Sequence, residues 1–195
     1  MDIIILAAGN SSRFGSNKLF HEINGKYMYQ YILEHACQLK ANNYVEHIIF
    51  VTQYEELNRV VSEQYPEVNI VKNLYPEKGI SYSVGLGIDR LFKLNSESES
   101  CLFAVSDQPY LRYETLVNFI EEYKIQNQFI GICANESRMG NPVIFSEKYY
   151  PELGLMSGDK GGKQVVMKHL EDTFLFQVAE KELEDIDVRI SEINK

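Results

Sequence analysis

Short apolar runs alternate along the chain with longer stretches in which apolar side chains recur every three or four positions. Ile3–Leu6, His47–Val51, Val68–Lys72, Cys101–Val105, Phe129–Ala134, Pro142–Phe145 and Thr173–Val178 are the short runs, and each predicts a strand. Tyr27–Ala41, Glu55–Tyr65, Ser81–Leu94, Tyr113–Gln126 and Gly162–Leu170 carry helical spacing. In the first of these, Tyr31, His35 and Leu39 fall at four-residue intervals, with Ile32 and Ala36 beside them. Strands and helices in alternation predict right-handed crossovers, and so a mainly parallel sheet with helices on both faces. No internal repeat or domain boundary interrupts the pattern, and Asn95–Ser100 is too short for a linker, so residues 1–195 read as a single α/β domain. In such a sheet ligands lie beyond the carboxyl ends of the strands. Chemistry is therefore expected after Leu6, Lys72, Val105 and Phe145.

Composition narrows the partners. With 45% hydrophobic and 24% charged residues the chain can bury a sizeable core, and a net charge of -9 excludes a protein that coats nucleic acid. A compact basic pocket inside an acidic protein suits a small polyanion. Cys37, Cys101 and Cys133 are far apart and form no CxxC pair, which argues against a disulfide framework or zinc site and for a reducing compartment. Cys101 and Cys133 sit in apolar runs and read as buried small hydrophobes. The N-terminus lacks a basic segment before its apolar run, and nothing approaches the roughly 18 apolar residues of a membrane span. The expectation is a cytoplasmic protein with no membrane or nucleic-acid partner.

The loops carry the candidate chemistry. Ala7-Ala8-Gly9-Asn10-Ser11-Ser12-Arg13-Phe14-Gly15-Ser16-Asn17-Lys18 follows the first strand. Its small residues let backbone N–H groups approach a ligand, and Arg13 and Lys18 are spaced to reach successive phosphates of a triphosphate. An ordinary turn with surface charges has the same spacing. The loop is no P-loop, because Gly9 and Gly15 are five residues apart and no Gly-Lys-Ser/Thr follows, and the Rossmann GxGxxG pattern is absent. Gly79-Ile80-Ser81-Tyr82-Ser83 opens a helix, where free N–H groups suit a ribose or an anion, although Ser81 also fits a plain N-cap. Asp107 ends an apolar strand ahead of Pro109 and offers one carboxylate opposite the cationic loop, as a Mg²⁺ site requires; a turn aspartate fits the same position. Ser157-Gly158-Asp159-Lys160-Gly161-Gly162-Lys163 is a second anion-binding candidate at a helix start. His21, His35, His47 and His169 show no ligand-like spacing.

The segment Leu6–Lys18 resembles the LAAGxSxRFGxxK signature of the nucleotidyltransferases with the MobA-like fold, and within them it is most similar to the molybdenum-cofactor cytidylyltransferases. The resemblance implies a Rossmann-like three-layer sandwich of the nucleotide-diphospho-sugar transferase type. It implies that Leu6, Ala7, Ala8 and Gly9 approach the base and ribose, that Arg13 and Lys18 bind the triphosphate, and that Ser83, matching a family serine, contacts the nucleotide. Asp107-Gln108-Pro109 is similar to the family DxP motif, whose aspartate binds the metal. Gly140-Asn141-Pro142 resembles the GxP strand that walls the acceptor site. Gly158, Asp159 and Lys163 resemble the GDxGxR segment, with Lys163 for the usual Arg; lysine keeps the charge but loses the guanidinium fork. Asp185-Ile186-Asp187 resembles the DIDTPED segment, which assigns Asp187 as second metal ligand, although Val188 and Arg189 replace Thr-Pro. Without the resemblance the same stretch, with Glu180, Glu182 and Glu184, reads as an acidic surface.

The implied activity is Mg²⁺-dependent transfer of CMP from CTP to molybdopterin or its molybdenum form, with release of pyrophosphate and with Arg13, Lys18 and Asp107 as catalytic residues. Ala7-Ala8-Gly9, in place of Ala-Gly-Gly, is similar to the CTP-using branch. The implied partners are the NTP, a phosphorylated pterin and a molybdenum hydroxylase apoenzyme. Alternatives are GTP as donor, a sugar or isoprenoid phosphate as acceptor, or a non-catalytic accessory role in hydroxylase maturation.

Overall fold

The computed structural model describes residues 1–9, 17–159 and 161–187. Along the chain, β1 (Asp2–Ala7) is followed by a small hairpin, β2 (Glu22–Ile23) and β3 (Lys26–Tyr27), and by α1 (Met28–Ala41). Next come β4 (Ile48–Thr52), α2 (Glu55–Gln64), β5 (Val68–Lys72), α3 (Ile80–Leu94), β6 (Ser100–Val105) and α4 (Tyr113–Ile125). Then β7 (Ile130–Ala134), β8 (Met139–Ser146), α5 (Tyr150–Gly154), α6 (Lys163–Lys168) and β9 (Thr173–Gln177) complete the elements. The hairpin and α5 are additions to the expected pattern, and each is too short to show a period.

The large strands form one sheet in the order β5-β4-β1-β6-β8-β7-β9. Among them β8 alone is reversed, antiparallel to both β6 and β7. The cause lies in the connection. Only residues 135–138 separate β7 from β8, far too few for the dozen or more a parallel crossover needs. Asn135 closes this turn, its Oδ1 accepting from the backbone N–H groups of Ser137 and Arg138 at 2.9 Å. The reversal corrects one expectation. Phe145 pairs with Cys101 near the start of β6, so the segment after Phe145 lies at the wrong end of the sheet, and the beginning of β8 lies at the ligand end.

Two cores cover the two faces, as the alternation along β1 requires. Ile3 and Ile5 pack with α1, α2 and α4 through Leu33, Leu57 and Phe119. Ile4 packs on the opposite face with Val84, Ile88 and Leu91 of α3 and with Leu153, Val165 and Val166. The α3 backbone rests directly on the sheet at Gly87, where a Cβ would stand 2.7 Å from Ile4 Cγ2; Gly85 has no such neighbour and faces open space. Cys101 and Cys133 are buried and, like Cys37, unpaired. No helix among the described residues is long and apolar enough to cross a membrane. Strand order reverses between β1 and β6, so the crevice for a ligand opens where these two strands end.

Candidate active site

At the end of β1 three successive carbonyls are held by the last residue of β4 and the two that follow it. Thr52 Oγ1 donates to Ala7 O at 3.2 Å, Gln53 Nε2 to Ala8 O at 2.9 Å and Tyr54 Oη to Gly9 O at 2.7 Å. The parallel register, which sets Ala7 opposite Thr52, produces this match. The carbonyls are thereby turned toward β4. Thr52, Gln53 and Tyr54 carry no motif, and only the strand pairing reveals them. Arg13 lies outside the described residues.

Leu6, Ala8 and Gly9 from the β1 end and Val105 and Asp107 from the β6 end line a cavity of about 180 Å³. Pro76, Gly79, Ile80, Ser83 and Asp159 close it. Ala7 is buried behind it. Ser83 is fixed by buried Asn73, whose Nδ2 donates to Ser83 Oγ at 2.9 Å. Helix α3 begins at Ile80 with Gly79 as its cap, so the reading of Ser81 as N-cap is corrected. Gly79 has φ +80°, and a Cβ there would stand 2.5 Å from both Gly158 C and Asp159 Oδ1. A side chain at this residue meets a left-handed backbone and a neighbouring main chain together. Gly79→Ala is therefore expected to cost roughly 2–4 kcal/mol. Melting temperature should fall by about 5–15 °C, checked by thermal unfolding; an unchanged value would show that the Gly158 loop yields freely.

Beside the cavity three charges converge. Lys18, whose side chain is only 9% exposed, places Nζ 2.6 Å from Asp107 Oδ2 and 2.9 Å from Asp187 Oδ1. Burial alone would lower the Lys18 pKa; the charge and hydrogen bond of Asp107, then those of Asp187, hold it above its ordinary value. Asp185, two residues before Asp187, has its carboxyl pushed up by loss of water and then by the charge of Asp107.

Asp187 arrives here because residues 180–187 lie against the loop that carries Asp107. Ile186 N donates to Asp107 O at 3.0 Å, and Arg138 Nη2 and Gln108 Nε2 donate to Leu183 O at 2.5 and 3.4 Å. Glu182 is buried on Arg112, which corrects the reading of Glu180, Glu182 and Glu184 as one acidic surface. Burial tends to raise the Glu182 pKa, but Arg112, the Thr115 hydroxyl and the Arg112 backbone N–H together hold it below the usual carboxylate range.

The expected acceptor residues are only partly brought together. Asp159 lines the same cavity as Gly9 and Ser83, and Gly158 stands next to it with φ +77°. Lys163 starts α6 and its Nζ donates to Met139 O at 3.2 Å, near Asn141 in β8. Asn141 and Lys163 thus sit on the β8 side of the site and are not among the residues that line the cavity.

The family pattern of the MobA-like NTP transferase domain matches residues 3–173. The chain belongs to that family. This MobA-like domain is 24% identical over 191 residues to the bifunctional protein GlmU of Baumannia cicadellinicola subsp. Homalodisca coagulata, covering 94% of the chain and 39% of that relative. It therefore spans about two fifths of the relative's length. The crystal structure of Rv0371c from Mycobacterium tuberculosis H37Rv superposes with a TM-score of 0.78 at 20% identity, over 99% of this chain and 96% of that one. Rv0371c has also been solved as a complex with manganese, and that structure gives a TM-score of 0.74 at 19% identity over 91% and 87% of the two chains. Molybdopterin-guanine dinucleotide biosynthesis protein A from Archaeoglobus fulgidus gives a TM-score of 0.63 at 17% identity over 96% and 93%. At these identities the structures share the fold.

Proposed function

We propose that this MobA-like domain transfers a nucleoside monophosphate, CMP from CTP, to a phosphorylated pterin of the molybdopterin type. The observation that carries the reading is the convergence of Asp107 and Asp187 on one cation beside the cavity at the ends of β1 and β6. At about 180 Å³ the cavity is smaller than the roughly 300 Å³ of enclosed ligand pockets. It takes one end of an NTP, the base and sugar, between Ala8, Gly9 and Ser83, and leaves the phosphates to run past it toward Lys18.

A divalent metal fits the residues present. Two hard carboxylate oxygens already share the Lys18 ammonium as a stand-in cation, and Mg²⁺ takes one or two such ligands with substrate phosphates completing its shell. Asp107 and Asp187 would hold it, and bound there it would neutralise charge at the α-phosphate. The chain's own residues do the rest. A terminal phosphate oxygen of the acceptor forms a bond to the α-phosphorus, the bond from that phosphorus to the bridging oxygen breaks, and pyrophosphate leaves with its electron pair. Arg13 and Lys18 offset the charge on the leaving group. On this reading Asn141, Gly158, Asp159 and Lys163 serve the acceptor, with Asp159 at its border with the nucleotide cavity. Positioning and charge stabilisation suffice, without a covalent enzyme intermediate.

The test is pyrophosphate release with Mg²⁺ and each of CTP, GTP, ATP and UTP in turn, with molybdopterin, a sugar phosphate or an isoprenoid phosphate as acceptor. Release with CTP is the expected result. Release with GTP would move the base assignment, and release only with a sugar or isoprenoid phosphate would move the acceptor. CTP binding with no release on any acceptor would favour an accessory role in maturing a molybdenum hydroxylase.

A further inference from the structure

Residues 180–187 and 107–112 run past each other as a ladder of unlike contacts. Lys181 Nζ lies 4.4 Å from the centre of the Tyr110 ring, Glu182 meets Arg112, Leu183 O meets Gln108, and Ile186 N meets Asp107 O. Asp107 and Asp187 stand at one end, each five residues from the Arg112–Glu182 pair at the other. Within the ladder Glu182 is the buried charge. Its side chain is 4% exposed against 66% for Arg112, and it accepts from Arg112 N at 3.2 Å, Nε at 3.1 Å and Nη2 at 2.7 Å. A carboxylate removed from water is held in place by its hydrogen bonds, because any shift leaves the charge uncompensated. The other rungs carry no buried charge, although the side chains of Leu183 and Ile186 are buried in the core. Arg112 also occupies the N-cap position of α4, so the fork ties the segment to a helix packed in the core.

We propose that Glu182 is a positioning residue of the metal site, acting through Arg112 to keep residues 180–187 in the register that turns Asp187 toward Asp107. The proposal rests on the reading of Asp187 as a metal ligand. It assigns the buried acid a consequence some distance from its own contacts, as groups behind metal ligands commonly have.

The test titrates Mn²⁺ into the full chain, alone and with a non-hydrolysable α,β-methylene analogue of CTP, following the free-ion signal by electron paramagnetic resonance. Thermal unfolding is measured on each variant. Glu182→Ala is expected to weaken Mn²⁺ binding roughly tenfold. Glu182→Gln, which retains an acceptor for the Arg112 N–H, should lose less, and it replaces the alanine variant if that one fails to fold. Asp187→Ala is the reference. A lower melting temperature with wild-type Mn²⁺ affinity in the Glu182 variants, while Asp187→Ala weakens binding, would overturn the proposal and reduce Glu182 to an anchor. Unchanged affinity in Asp187→Ala would overturn the underlying reading of Asp187, and the proposal with it.

Discussion

Asp107→Ala is expected to lower pyrophosphate release by about a thousandfold or more with Mg²⁺ and saturating NTP, while the protein stays folded. A thousandfold loss is about 4 kcal/mol of transition-state stabilisation, the range seen when one preorganised electrostatic partner is removed. The effect on stability should be smaller, about 1–2 kcal/mol. Lys18 keeps Asp187 at 2.9 Å, and the Asp107 carbonyl still accepts from Ile186 N, so the local chain path survives. Steady-state rates with circular dichroism separate the two effects. Near-wild-type turnover would mean that the carboxylate at the end of β6 is a structural turn residue.

Lys18→Met should move two measurements in opposite directions. Methionine replaces the buried stem and removes the ammonium. The rate should fall about 10²–10³-fold, as for loss of one donor to a developing negative charge. Metal affinity without nucleotide should rise by tenfold or more, because a cation no longer stands between Asp107 and Asp187. At the few ångströms involved, removing one unit of like charge is worth about 1–4 kcal/mol for effective dielectric constants between water and a protein surface. With both carboxylates facing each other, added Mn²⁺ should also raise the melting temperature of the variant more than that of the wild type. Wild-type rate together with unchanged metal affinity would remove Lys18 from the site.

Much of the architecture was legible in the sequence. Each predicted strand is found, because buried runs such as Ile3–Leu6 and Cys101–Val105 leave little alternative. The reversal of β8 was available too, in the lack of a helical stretch between Ala134 and Pro142, but strand–helix alternation elsewhere masked it. The site was legible where a motif names it. Leu6, Ala8, Gly9, Ser83, Asp107 and Asp159 do line one cavity. Contacts made by tertiary placement were not legible. Gln53 and Tyr54 acquire their roles from register with β1, and Glu182 looks like any other acid until Arg112 lies beside it. Its neighbours Glu180 and Glu184 differ from it in no local property.

The two cores on either side of the sheet have a further consequence for how such a domain can diversify. Ile80 and Ser83 lie on α3, capped by Gly79, and this helix packs through Val84 and Ile88 in the core of Ile4, whereas Lys18 and Asp187 adjoin Leu19 and Ile186 in the other. Asp107 stands at the seam. Changes in the α3 layer can therefore reshape the walls of the cavity while leaving the cluster of Lys18, Asp107 and Asp187 in place.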